Sequence, residues 1–189
     1  MTLFVLDLGR DLLALGNVVL GGDFEKVRYV VFKQVDRYIA DFDLYASTLL
    51  ESLGLVGRAA VFFTAADISK MRHAEGRLVE LYATVGLANP ACIGAAHSRE
   101  GHTVNILVVS RAPLSRRGLL DLYRTAAEAK AATLTARGLC GGRPSLGTTS
   151  DAVLVVAPPG GAHYAGAATE IGSETSFLIY EILNKLKVE

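Results

Sequence analysis

The run Val153–Ala157 (Val-Leu-Val-Val-Ala) constrains the fold more than any other stretch of this chain. It has no polar interruption, so an extended segment there offers no face to water and reads as a buried central strand. Gly-Thr-Thr-Ser-Asp (Gly147–Asp151) precedes it and Pro-Pro-Gly-Gly (Pro158–Gly161) follows. The remaining strands are expected at Thr2–Leu8, Asn17–Gly22, Val27–Val35, Arg58–Ala65, Arg77–Leu87 and His102–Ser110, each rich in β-branched or aromatic residues. Phe42, Leu44, Tyr45, Leu49 and Leu53 follow helical spacing, with Asp41 placed to cap the start and Gly54 to end it. A longer helix is predicted within Pro113–Gly138, where Leu119, Leu122, Ala126 and Ala129 share one face and Ser115 caps it. Cys140–Ser150 and Pro158–His163 read as loops. Glu170–Lys187 reads as a closing amphipathic helix on Ile171, Leu178, Ile182 and Leu186. Because the strands come in groups and do not alternate strictly with helices, the expected class is α+β. It is a mixed, largely antiparallel sheet with packed helices, in a single compact domain over residues 1–189.

The 19 basic and 19 acidic residues cancel, which argues against a nucleic-acid partner. No segment approaches the roughly 18 apolar residues that span a bilayer, and Asp7, Arg10 and Asp11 break up the apolar start. A cytoplasmic location with no membrane partner is expected, and self-association is left open. Cys92 and Cys140 are the only cysteines. Far apart and outside any paired motif, they read as small core residues carrying free thiols in a reducing compartment.

Neither glycine-rich nucleotide cradle occurs, nor does the serine-hydrolase elbow. His73, His97, His102 and His163 lack ligand spacing, so no metal site is expected. The polar residues gather where apolar strands meet loops. Thr64 and Asp67 follow one strand, and an N-cap is the plain structural reading. Thr84, Gly86 and Asn89 end another as a turn before Pro90. Asn105 interrupts an apolar strand and needs a partner, either a neighbouring loop or a ligand. Glu128 and Lys130, two apart on a helix, cannot share a face. Thr148, Thr149, Ser150 and Asp151 form either an Asx-type turn or a reaction site.

In order along the chain, Gly21–Gly22, Thr-Ala-Ala-Asp (Thr64–Asp67), Thr-Val-Gly-Leu-Ala-Asn-Pro (Thr84–Pro90), His-Thr-Val-Asn-Ile (His102–Ile106), Glu-Ala-Lys (Glu128–Lys130), Gly147–Asp151 and Tyr-Ala-Gly (Tyr164–Gly166) resemble the adenosylcobinamide amidohydrolase family. The likeness runs from about Gly16 to the C-terminus. The chain departs from the family pattern at several positions. His102 replaces a glycine, Ser150 a threonine and Asp23 a third glycine; Gly16 and Asn17 stand where serines are usual, and Phe32 and Lys33 where Asn-His is usual.

The resemblance implies a corrinoid substrate, no cofactor of the protein's own, and hydrolysis of the amide joining the corrin ring to aminopropanol. That chemistry needs a nucleophile with a base and donors for the developing oxyanion. Asp151 or Glu128 would be the base, Lys130 or Asn105 would stabilise the oxyanion, and Thr148 or Ser150 would attack or orient water. Thr64, Asp67, Asn89, Gly147, Gly21 and Gly22 would meet the substrate. The alternative implied by the departures is a diverged corrinoid-binding or interaction protein without turnover.

Overall fold

The computed structural model describes residues 2–36, 39–95 and 103–185. Its strands are β1 (Leu3–Gly16), β2 (Asp23–Gln34), β3 (Ala59–Thr64), β4 (Arg72–Glu75), β5 (Val79–Val85), β6 (Pro90–Cys92), β7 (Val104–Ser110), β8 (Ser145–Thr148) and β9 (Ala152–Ala157). Its helices are α1 (Phe42–Leu53), α2 (Arg116–Ala136) and α3 (Glu170–Asn184). Seven strands form one sheet in the order β3-β2-β1-β9-β7-β5-β4, and β6 and β8 form a separate ribbon. The β2–β3 and β7–β9 pairs are parallel and the other neighbours in the large sheet are antiparallel. The α+β class with a mixed, largely antiparallel sheet is what the structure has.

β9 is hydrogen-bonded on both edges, to β1 and β7, which explains its unbroken apolar sequence. Its side chains alternate between two cores. Val153, Val155 and Ala157 face α2 and α3, meeting Leu119, Leu122, Ile179 and Leu183. Leu154 and Val156 face the opposite way, into the hollow of the curled sheet, with Leu12, Phe32, Phe62 and Leu107. Phe32 and Phe62 are paired across β2 and β3 and their rings stack at 4.5 Å. The curl is fixed where the β1–β2 turn reaches the free edge of β3. Val19 donates to the Val61 carbonyl, and the Val61 N–H donates to Leu20. A third core packs α1 on the outer side of β2 and β3 through Ala46, Leu50, Val31 and Val61.

The helix signals hold at residue level. Asp41 accepts from Leu44 N and Gly54 takes the left-handed cap. Ser115 caps α2, accepting from Gly118 N. Three expectations change. Thr2–Leu8 is part of a single long strand that continues to Gly16 through a bulge between Asp7 and Leu12, where Arg10 and Asp11 are exposed. Asn17–Gly22 is a turn with one bridge to β3 and not a strand. Within the expected loop Cys140–Ser150, Ser145–Thr148 pairs with Pro90–Cys92.

The cysteine expectation is overturned as well. Cys92 and Cys140 are joined in a disulfide, which ties the β6–β8 ribbon to the turn after α2. Spacing along the chain concealed the pair, because only the ribbon brings Cys92 beside the end of α2. Among the described residues, no helix is long and apolar enough to cross a membrane.

Candidate active site

The ends of β2, β3 and β5 and the beginnings of β7 and β9 meet at one mouth of the curled sheet, and most of the polar segments singled out above converge there. Successive strand residues point to opposite faces, so the mouth carries two polar layers.

The outer layer, on the helix side, centres on Asp151. Its carboxylate is 7% exposed and accepts from Lys130 Nζ at 2.5 Å; Lys130 is 9% exposed and comes from the middle of α2. Oδ2 also accepts from Thr148 N at 2.9 Å. Oδ1 accepts from Val104 N at 2.8 Å and from the Thr148 hydroxyl. All acceptor directions of the carboxylate are therefore occupied. Gly147 makes this packing possible. Its φ is +130°, and a Cβ there would lie 1.9 Å from Asp151 Oδ2 and 2.7 Å from Lys130 Nζ. Asn17, from the β1–β2 turn, closes the node from the side. Its Nδ2 donates to the Asp151 carbonyl and its Oδ1 accepts from Val153 N, both at 2.8 Å.

The inner layer is a hydroxyl and amide seam. Asn105 is fully buried. Its Nδ2 donates to the Phe63 carbonyl at 2.7 Å, and its Oδ1 accepts from the Thr103 hydroxyl at 2.9 Å and from Ala152 N at 3.2 Å. The Thr103 hydroxyl also lies 2.9 Å from the Ser150 carbonyl. Thr84 donates to Thr64 at 3.0 Å, and Thr64 accepts from Ala66 N. The Asn105 amide thus ties β3, β7 and β9 together across the mouth. An Asn105→Leu chain is expected to lose about 2–4 kcal/mol, because buried Phe63, Thr103 and Ala152 groups lose partners. Urea unfolding measures it, and a midpoint equal to the parent's would show the seam to be dispensable.

The sequence-derived candidates divide sharply. Asp151, Lys130, Thr148, Gly147, Asn105 and Thr64 meet at the mouth. Ser150 and Thr149 stand exposed on its rim, where Asn89 Nδ2 lies 3.3 Å from Thr149 Oγ1. Glu128 is elsewhere: it points out from α2 and pairs with Arg124 at 2.7 Å, with 60% of its side chain exposed. The helical spacing anticipated this split of Glu128 from Lys130. Asp67 is a cap. It accepts from Ser69 N and Oγ, bonds that hold its carboxyl below the usual range. Gly21 and Gly22 build the turn that sets Asn17 in place, with Gly22 O accepting from Gly16 N. The Tyr164–Gly166 segment lies away from the mouth and packs on α2, where Asp121 accepts from Ala165 N. His102 and His97 fall outside the described residues.

Sequence reasoning missed Asn17 and Thr103 as parts of the site. It also missed a cluster on the inner face nearby, His73 with Glu80 and Tyr82. Only the β4–β5 register, with His73 opposite Tyr82, brings these three together.

Comparison with known proteins identifies a family and relatives. A family model described as adenosylcobinamide amidohydrolase matches residues 1–185. A protein named adenosylcobinamide amidohydrolase from Halobacterium salinarum is 37% identical over 151 residues, covering 72% of this chain and 63% of that protein. One of the same name from Methanosarcina mazei is 28% identical over 189 residues, covering 84% of this chain and 87% of that one. The chain thus spans less than two thirds of the Halobacterium protein's length. With the family model matching nearly end to end, the chain belongs to the adenosylcobinamide amidohydrolase family.

Proposed function

We propose that this protein hydrolyses the amide between the corrin ring's propionate side chain and aminopropanol in adenosylcobinamide, releasing adenosylcobyric acid and 1-aminopropan-2-ol. The observation that carries the reading is the Thr148–Asp151–Lys130 node at the mouth, beside the exposed rim of Asn89, Thr149 and Ser150. Asp151 has no lone pair left for a water, so among the described residues the hydroxyl placed to give it a proton is that of Thr148. Thr148 is accordingly the nucleophile in this reading. Its oxygen bonds to the amide carbon as its proton passes to Asp151, the C–N bond breaks, and the amine leaves with that proton. Water then cleaves the resulting ester and restores Thr148. Lys130 acts by holding the Asp151 side chain in place. The rim amide and hydroxyls of Asn89, Thr149 and Ser150 suit the corrinoid's peripheral amides.

Purified protein incubated with adenosylcobinamide is expected to yield both products by mass spectrometry. Thr148→Val is expected to lower kcat at least about a hundredfold, with Thr148→Ser much less affected. A Thr148→Val protein as fast as the parent would remove Thr148 from the chemistry. A second reading, corrinoid binding without turnover, has its own support. Phe32, where an Asn-His pair is implied by the family, is buried and stacked on Phe62. A Cβ at Gly16 would lie 2.2 Å from the Val153 carbonyl, so this backbone has no room for the serine. Corrinoid recovered bound and uncleaved would favour that reading.

A further inference from the structure

His73 sits on the edge strand β4 with 46% of its side chain exposed, yet its ring is held on two sides. Nε2 lies 2.8 Å from Glu80 Oε1, and the ring stacks on Tyr82 with centroids 4.6 Å apart. The Tyr82 hydroxyl donates to the same Glu80 oxygen at 2.5 Å. Burial of Glu80 disfavours its charge, but the hydrogen bonds from Tyr82 and His73 outweigh that and hold its carboxyl below the usual range. An ionised carboxylate only accepts, so the His73 proton is on Nε2 and the Nδ1 lone pair is left available in the neutral ring. Nδ1 has no hydrogen-bond partner among the described residues. His163, the other described histidine, has its Nδ1 engaged by Ser115 at 2.7 Å.

A ring fixed by a carboxylate on one nitrogen, with the other nitrogen unpartnered on a half-exposed side chain, is the arrangement that orients a metal-binding imidazole. A bare ion would need about three or four protein donors, and no such group occurs among the described residues. A metal that arrives already chelated by a macrocycle needs only one. Among the described residues nothing in the large sheet lies beyond β4, so the exposed side of His73 faces outward from the sheet's edge, where a wide planar ligand can approach. Tyr82 and Thr84 lie on the same face of β5, so His73 is on the order of 8 Å from the inner seam of the mouth.

We propose that His73, positioned by Glu80 and Tyr82, binds the cobalt of the corrinoid through Nδ1 on the face that lacks a nucleotide base, holding the ring while its side-chain amide reaches the mouth. This rests on the corrinoid reading above. The step is a dative exchange in which the Nδ1 lone pair bonds to cobalt and one axial water leaves, with no change in oxidation state.

Cob(II)inamide added to the intact protein tests it by electron paramagnetic resonance. The expected spectrum carries a nitrogen triplet on the cobalt lines, absent for cob(II)inamide in buffer and absent with His73→Ala. Binding is expected to weaken about a hundredfold in His73→Ala and about tenfold in Glu80→Gln. Circular dichroism confirms that both variants fold. A bound spectrum without the triplet, or a triplet that survives His73→Ala, overturns the assignment. The hydrolysis assay on the same samples separates the two ideas. Product formed without nitrogen ligation sinks only His73; ligation without product sinks only the amidase; no binding sinks both.

Discussion

Asp151→Asn is expected to destabilise the chain by about 3–5 kcal/mol, the cost of leaving Lys130 buried beside a neutral group. The amide offers one oxygen where the carboxylate offers two, and its NH2 must face either Lys130 Nζ together with Thr148 N, or Val104 N. Neither orientation satisfies the node. If Gly147–Asp151 were only an Asx-type turn, the same change would be nearly neutral. Urea unfolding distinguishes these outcomes, and a loss under about 1 kcal/mol would show that the node is not a sealed ion pair. The double variant Asp151→Asn with Lys130→Met is expected to recover much of the loss, since it removes the orphaned charge. Neither variant should hydrolyse adenosylcobinamide, because an amide cannot take the Thr148 proton.

Reducing the disulfide has the second large expected effect. The bridge closes a separation of 48 residues, for which chain entropy alone suggests ~4 kcal/mol and typical bridges deliver about 2–4. Part of that loss falls on the site. The ribbon of β6 and β8 has only a few residues on each side, too few to be stable unaided. It holds Pro90 opposite Thr148 and Ala91 opposite Gly147. A Cys140→Ser chain, or the parent in dithiothreitol, is expected to unfold at a lower urea concentration and to lose corrinoid turnover before it loses helix content. Equal midpoints for the oxidised and reduced protein would show that the bridge is not stabilising.

Signals read locally survived in the structure. Asp41 and Gly54 bound α1, Ser115 caps α2, and the apolar run from Val153 is the central strand, with neighbours on both edges. What failed depended on distant partners. The bulge in β1 is set by Asp7 gripping Gly9 N and Arg28, a contact with no local signature. β6 and β8 are too short to show alternation. The candidate site was legible as a set of segments but not as a set of roles. Asn105 was singled out as a polar residue needing a partner and Asp151 as part of a turn or a reaction site, yet only the fold shows how completely partners saturate both. His73 could not be distinguished from any surface histidine, because its carboxylate lies across a hairpin.

The position of β9 in the sheet has a consequence for how the protein is made. Leaving the ribbon aside, residues 3–64 supply β1, β2 and β3, and residues 72–110 supply β4, β5 and β7. These are two separate half-sheets, and within the sheet only β9 joins them. It is the last of this sheet's strands to leave the ribosome. Until Ala152–Ala157 emerges, β1 and β7 each keep an apolar edge with open backbone groups, and those edges are the aggregation-prone surfaces of a nascent chain. The same arrival delivers Asp151 to a waiting Lys130, so the node is assembled in the step that seals the two halves.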